Sequence, residues 1–137
     1  MPLGITRWPV FRRWFGGRSE RAAARFLRRL GYRILARNVR VPGGELDLIA
    51  LDRRIIVFAE VRSTAGESLE RPKLSIDAAK QRTLTHAALT FLSRHHLLDH
   101  PARFDVLIVG WPADHRRPHV IHYPNAFEPV GRFQMYN

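Results

Sequence analysis

The sequence predicts an α/β sandwich, in which helices flank a central mixed β-sheet. Two segments place apolar residues at helical spacing, and four or five others have the short apolar runs that are typical of strands. Their order is helix, three strands, a longer helix, one strand and then an edge strand. Three consecutive strands favour an antiparallel meander, and a helix between strands favours a crossover that returns the chain to the same sheet.

The first helix is predicted to begin at Ser19, a good N-cap residue, and to end at Gly31, which readily adopts the backbone of a helix stop. The residues that form its predicted buried side are Ala23, Phe26, Leu27 and Leu30. Residues 32–41 then alternate well enough to predict the first strand, and a Pro-Gly-Gly turn follows them.

The segment 44–62, GELDLIALDRRIIVFAEVR, is predicted to form two strands joined by a turn at residues 52–54. Because successive side chains of a strand point to opposite faces, Asp47 and Glu60 can lie close together on a single face. Two carboxylates about 4 Å apart repel by about 4 kcal/mol at an effective dielectric constant of 20, so we expect a cation between them. The hairpin therefore predicts a metal site.

The second, longer helix is predicted to follow a polar loop at residues 63–72. We expect Ser75 to cap it and Asp77 to lie in its first turn. The residues that form its predicted inner ridge are Lys80, Leu84, Ala87, Ala88, Phe91 and Leu92. The apolar run 104–109 is typical of a buried strand, and residues 119–123 are predicted to add an edge strand.

With 137 residues, the chain is the size of one compact domain. We divide it into an N-terminal arm at residues 1–18, a domain at 19–123 and a tail at 124–137. The arm is basic and aromatic, so we expect it to contact phosphates or to pack on the domain; plain disorder and an anchor at a membrane interface are the alternatives.

The chain is strongly basic, with 23 Lys and Arg against 12 Asp and Glu and a net charge of +11. Such a charge favours a polyanionic partner, either nucleic acid, for which we expect DNA, or an anionic membrane surface. The arginines that we predict to contact nucleic acid are Arg12, Arg13 and Arg18 in the arm and Arg37 and Arg40 on the first strand.

The composition also excludes several kinds of site. Cysteine is absent, which rules out disulfides and thiolate chemistry and fits a reducing cytoplasm. No apolar run approaches the roughly 20 residues that span a bilayer, so we predict no stable membrane insertion. The seven histidines show no ligand spacing, and we expect them in turns or facing solvent. Asp105 is expected to pair with Arg103.

Carboxylate ligands on neighbouring strands suit Mg²⁺ or Mn²⁺. An ion held by Asp47 and Glu60 would support hydrolysis of a phosphodiester in nucleic acid. The positive charge that such a reaction needs could come from Arg62, on the face of Glu60, or from Lys80 on the second helix. Glu20, at the start of the first helix, either adds a metal ligand or only stabilises the helix terminus.

Glu45 has two interpretations that the sequence leaves open. It could support the site as an acceptor beside Asp47, or it could pair across the sheet with Arg37 or Arg40.

Four runs, GRSERAAARFLRRLGYRILARNVR, GGELDLIALDRRIIVFAEVR, DAAKQRTLTHAALTFL and RFDVLIV, together resemble the YraN family of small bacterial proteins. That family resembles the restriction-endonuclease-like nucleases, which carry a PD-(D/E)xK signature, and archaeal Holliday-junction resolvases in particular. The resemblance implies a three-layer sandwich that cleaves branched or single-stranded DNA with Mg²⁺, and, by analogy with the resolvases, a homodimer.

The resemblance also implies roles for individual residues. Asp47 matches the signature aspartate, Glu60 the second acid, and Glu20 the helix acid of the resolvases. Arg62 stands where the signature has lysine. Two functions therefore stay open: a metal-dependent nuclease, and a non-catalytic module that binds nucleic acid through a degenerate nuclease site. A membrane-proximal scaffold, anchored by the arm, is a third hypothesis.

Overall fold

The computed structural model describes residues 17–65, 76–114 and 117–129. In these ranges the elements are α1 (Arg18–Arg29), β1 (Arg33–Val41), β2 (Gly44–Asp52), β3 (Ile55–Ala65), α2 (Ala78–Arg94), β4 (Ala102–Trp111) and β5 (His119–Phe127). Their order is the predicted one. The predictions for Arg12, Arg13 and Ser75 fall outside the described residues.

The five strands form one mixed sheet in the order β1-β2-β3-β4-β5. The first three strands pair antiparallel, as predicted for the meander. β3 and β4 pair in parallel, which requires the crossover that α2 supplies, and β5 returns antiparallel to β4. The predicted α/β fold with a central mixed sheet is confirmed.

The two helices cover opposite faces of this sheet and complete a three-layer sandwich. Ala23 and Leu27 of α1 pack into one buried apolar cluster with Val57 of β3. On the other face, Leu84 and Phe91 of α2 belong to a second cluster. Neither helix of the described ranges is long and apolar enough to cross a membrane.

The start of α1 differs from the prediction. Gly17 is the N-cap residue, and Ser19 lies inside the first turn and is buried. The Ser19 hydroxyl accepts a hydrogen bond from the Trp111 indole at 2.9 Å and bonds to the Ser63 hydroxyl. Serine prefers the N-cap position, but hydrogen bonds to residues far along the chain hold the Ser19 side chain inside the first turn instead. Gly31 ends the helix as predicted, with a φ of 95°.

The ridge of α2 is confirmed, because its predicted apolar members are buried against the sheet. The cap is Asp77, which was predicted in the first turn, and its Oδ1 accepts the Lys80 N–H at 2.8 Å. In α1, by contrast, Leu30 is 52% exposed, so its predicted place on the buried side is wrong. It is the C-cap residue that follows the last helical residue.

β5 extends beyond its predicted end at residue 123. A register irregularity between Phe104 and Val106 lets the chain continue pairing until Phe127. The Phe127 ring stacks on Phe104 with centroids 4.6 Å apart. Residues 124–127, assigned to the tail from sequence, thus belong to the sheet, and the tail beyond residue 129 lies outside the described residues.

Candidate active site

The candidate site lies where β2 separates from β3. Their paired register stops at Leu48 and Ala59. Asp47 directly precedes Leu48 in β2, and its Oδ2 accepts the Val61 N–H at 2.9 Å. A side-chain carboxylate thus takes the place of a backbone acceptor at the end of the ladder, and this bond fixes Asp47 against β3.

The alternation of β2 also breaks at Asp47. Leu46 packs in the cluster under α2, whereas Leu48 packs in the cluster under α1. Residues two apart in a regular strand share a face, so the strand rotates locally between these leucines. On the other side of β2, Asn38 of β1 has a φ of 51° at the same level of the sheet. This irregularity places Asp47 between the two helical layers.

Glu60 projects from β3 beside Asp47, and the two side chains line the same small cavity, close enough for each carboxyl to affect the pKa of the other. Only 9% of Glu60 is exposed. Burial, and then the negative charge of Asp47, raise the pKa of Glu60 to about 7, although Lys80 and Arg62 act in the opposite direction. Burial of the two carboxyls thus favours retention of a proton by the pair as the pH approaches neutrality.

The pKa of Asp47 is also raised, chiefly by burial, and the bond from the Val61 N–H opposes that shift. Glu20 reaches the same region from the first turn of α1. Its pKa is raised by partial burial and then by the charge of Asp47. Among the described residues, however, no three acidic or histidine side chains converge closely enough to hold a metal ion together. Glu20 therefore lies near the acid pair without completing a three-residue metal cluster.

Two cations were predicted at Glu60, and the structure distinguishes them. The Lys80 Nζ lies 3.6 Å from the Glu60 Oε2. Arg62 lowers the pKa of Glu60 through its charge but forms no ion pair with it within the described ranges. The lysine therefore extends from the first turn of α2, in one helical layer, to Glu60 in the sheet.

Glu45 lies at the edge of this region. It stands opposite Arg40 in the β1–β2 register, and the Arg40 Nε is 3.3 Å from its Oε2. The cross-strand pair is one of the two predicted alternatives, and the charge of Glu45 also contributes to the raised pKa of Asp47, so Glu45 lies within electrostatic range of the site as well. Arg37 stands opposite Leu48, which packs under α1, so Arg37 lies on the α1 side of the sheet.

A buried polar network at β4 was only partly anticipated. Asp105 is fully buried and accepts hydrogen bonds from Arg103 at 2.8 Å, from His122 at 2.8 Å and from the Asn125 N–H at 2.9 Å. Burial alone would raise the pKa of Asp105, but these bonds together hold it below its usual value. The predicted pairing of Asp105 with Arg103 is confirmed.

The same network corrects the prediction for one histidine. The side chain of His122 is 8% exposed, and its ring meets Phe26 and Tyr32 edge to face, so it is neither in a turn nor facing solvent. No local pattern signals this contact, because the partner is 17 residues away and the register shift at β4 aligns the two. Arg103 also donates hydrogen bonds to Asp52 and to the Tyr32 hydroxyl, so the polar groups of this network find their partners within the protein.

Comparisons with known proteins identify relatives of this chain. A family model described as "Uncharacterised protein family UPF0102" matches residues 19–109. The UPF0102 protein of Pelobacter propionicus is 46% identical over 115 residues, which cover 82% of this chain and 81% of the relative. That of Geobacter metallireducens is 41% identical over 113 residues, covering 82% and 91%. That of Syntrophotalea carbinolica is 40% identical over 129 residues, covering 94% and 95%.

Proposed function

The chain belongs to the UPF0102, or YraN, family, and we propose that it is a divalent-metal-dependent nuclease centred on Asp47 and Glu60. The observation that carries the proposal is the pair of neighbouring carboxyls, Asp47 and Glu60, which line one small cavity and have Lys80 3.6 Å from Glu60. A fold seldom keeps two acids in contact and largely desolvated unless they have a function, since strongly perturbed carboxyls concentrate at functional sites. DNA as substrate and a homodimer are parts of the same proposal, and a cytoplasmic location stays a prediction.

The donor set fits Mg²⁺ or Mn²⁺. Mg²⁺ is commonly held by one or two carboxylates and keeps water in its remaining positions, so Asp47 and Glu60 suffice as protein ligands. A proton retained by the two carboxyls reduces the repulsion between them. A divalent ion would reduce it in the same way, and its binding would release that proton. When bound, such an ion supplies Lewis acidity to the scissile phosphodiester.

The chain's own residues supply the remaining electrostatics. The Lys80 ammonium, held at Glu60, stabilises negative charge that develops on the phosphate. Arg62 adds a positive charge on the same strand, and this charge acts on Glu60. The Val61 N–H orients the Asp47 carboxylate through its hydrogen bond.

The second candidate is a non-catalytic nucleic-acid-binding module, which Arg62 at the signature lysine position favours. Against it stands Lys80, which provides an ammonium at the second acid from another element. Replacement of Arg62 by lysine separates the two: a gain of cleavage in Arg62→Lys, with none in the parent chain, would identify a degenerate site.

The test uses an Asp47→Asn, Glu60→Gln double variant, because amides keep the size of both side chains and the new amide oxygen at position 47 can still accept the Val61 N–H. We expect the parent chain to bind Mn²⁺ in a calorimetric titration and to cleave junction, forked or single-stranded DNA. The double variant should lose detectable metal binding and at least ~100-fold in cleavage rate, the size of loss typical when a principal electrostatic contribution is removed.

A matched control, Asp99→Asn with Glu128→Gln, changes two exposed acids and should retain both activities. Equal cleavage by the site variant would contradict the proposal.

A further inference from the structure

We propose that α1 presents a track of arginines that binds the phosphate backbone of a nucleic acid and leads it to the acid pair. The inference deepens the proposed function and rests on it for the identity of the site. The side chains that form this arginine ridge are Arg18, Arg21, Arg25, Arg28 and Arg29. All five are exposed, and they recur at the spacing of three and four residues that aligns side chains along one side of a helix.

The packing of α1 fixes which side carries the ridge. Ala22, Ala23, Ala24 and Leu27 are buried against the sheet, so the helix cannot rotate its charged side inward. In the part of the chain that the structure describes, no acid forms an ion pair with Arg21, Arg25, Arg28 or Arg29. Guanidinium groups without a protein partner suit phosphates, which they bind through paired hydrogen bonds.

The dimensions of the ridge match a nucleic-acid backbone. From Arg18 to Arg29 the helix rises by about 16 Å, at about 1.5 Å per residue. One strand of a duplex rises about 3.4 Å per phosphate along its axis, so the ridge is long enough to contact several phosphates. Several arginines of the ridge can therefore contact phosphates at the same time.

The ridge begins at the candidate site. Arg18 stacks its guanidinium over the Trp111 ring, with 4.1 Å to the centroid. The adjacent Ser19 is bonded to Trp111 of β4 and to Ser63 of β3, which fastens the first turn of α1 to two strands. Glu20, in the same turn, is close enough to Asp47 for the two charges to interact. A strand that lies along the ridge therefore arrives at the acid pair.

The composition of the ridge favours nucleic acid over an anionic membrane. A helix that binds a membrane surface inserts an apolar side, but the apolar side of α1 is already buried in the sandwich. Arginine contacts to phosphates also carry no base information, so the binding should be independent of sequence.

The experiment compares two triple variants that remove the same charge. Arg21→Gln, Arg25→Gln, Arg28→Gln removes three ridge cations, whereas Arg53→Gln, Arg54→Gln, Arg94→Gln removes three exposed arginines elsewhere. Binding of a fluorescent duplex of about 30 base pairs is measured by anisotropy in EDTA over a range of NaCl concentrations. We expect the ridge variant to bind at least ~10-fold more weakly at physiological salt, and its log–log salt slope to be smaller by about 2.7. The affinity of the control variant for the duplex should stay within about threefold of that of the parent chain, because its three arginines lie outside the arginine ridge. Equal losses in the two variants, or no loss in the ridge variant, would overturn the inference.

Two further arms separate this inference from the proposed function. Because binding is measured without metal, the Asp47→Asn, Glu60→Gln variant, which removes negative charge, should bind DNA at least as tightly as the parent chain even though its cleavage is lost. If no chain cleaves DNA but the ridge variant alone loses binding, the nuclease proposal fails and the ridge stands. With vesicles of phosphatidylserine and phosphatidylcholine, a ridge variant that loses vesicle binding while it keeps DNA binding would overturn the choice of partner.

Discussion

The raised pKa of the buried Glu60 carboxyl makes the folded chain less stable as the pH rises. Its pKa is about 7 in the folded protein, through burial and the charge of Asp47, against an ordinary value of 4.5. A carboxyl whose folded pKa is raised costs no stability below its ordinary pKa. As the pH rises from there through the folded value, the unfolded chain gives up the proton while the folded chain keeps it. The free energy of unfolding therefore falls over this window.

The prediction at this scale is that Glu60→Gln is more stable than the parent chain at about pH 8 in EDTA. Glutamine at this position keeps the shape of the side chain and has no proton to lose, so it should add about 2 kcal/mol and raise the Tm by several degrees. The difference should vanish near pH 4.5, the ordinary pKa of the carboxyl. Thermal unfolding followed by circular dichroism at a series of pH values measures both.

Glu45→Gln makes the same replacement at an exposed position and should shift the Tm by far less. If the stability that Glu60→Gln gains over the parent chain shrinks as the pH rises, the sign of the linkage is wrong.

At the same scale, local pattern located the acid pair because period-two alternation and a short turn are both encoded within residues 44–62. It did not reveal that Asp47 lies at a break in the strand, since that break depends on packing under two different helices. Ser19 and His122 were assigned wrongly for a related reason. Each is held by partners far along the chain, and propensity contains no information about them.

At the scale of elements, the first turn of α2 serves both the helix and the site. The Asp77 carboxylate caps the backbone N–H of Lys80, and the side chain of the same lysine reaches Glu60. Loss of the cap would loosen the turn from which the ammonium extends. The stability of the helix start is thus linked to the electrostatics of the acid pair.

We predict that Asp77→Ala lowers the free energy of unfolding by about 1 kcal/mol, because it removes the capping acceptor. Cleavage, if present, should fall with it, since Lys80 is then held less firmly. Asp77→Asn keeps an acceptor and should restore most of the stability. Urea unfolding of the three chains measures the effect, and an alanine variant as stable as the parent would contradict this role of the cap.

The order and type of the elements follow from the sequence because each has a strong local pattern. The pairing of β5 up to Phe127 does not, because it depends on the register irregularity at Phe104 and Val106. Polar residues such as Asn125 are typical of a tail, whereas its N–H is in fact bonded to the buried carboxylate of Asp105. A buried acid in one strand thus extends the strand beside it.

At the scale of the whole molecule, the net charge of +11 opposes compaction. Repulsion among exposed arginines acts over long distances at low ionic strength, where the screening length is about 30 Å at about 0.01 M. Buried pairs such as Arg103 with Asp105 are screened much less. Salt should therefore weaken the repulsion more than the attraction.

We predict that the Tm rises by a few degrees when NaCl is increased from about 0.01 M to about 0.15 M, over which the screening length falls from about 30 to about 8 Å. The ridge triple variant has three fewer positive charges and should show a smaller rise. Differential scanning calorimetry in EDTA measures both chains. A Tm that falls with salt would indicate that exposed ion pairs outweigh the repulsion.

The parallel contact between β3 and β4 has a consequence for synthesis of the chain. β3 ends at Ala65, but its neighbour is complete only at Trp111, about 46 residues later. At roughly 5–20 residues per second, the inner edge of β3 stays unpaired for several seconds while the meander and α1 have already emerged. During that interval the unpaired amides and carbonyls of this apolar strand are open to pairing with other chains, so the risk of aggregation is greatest at this stage of synthesis.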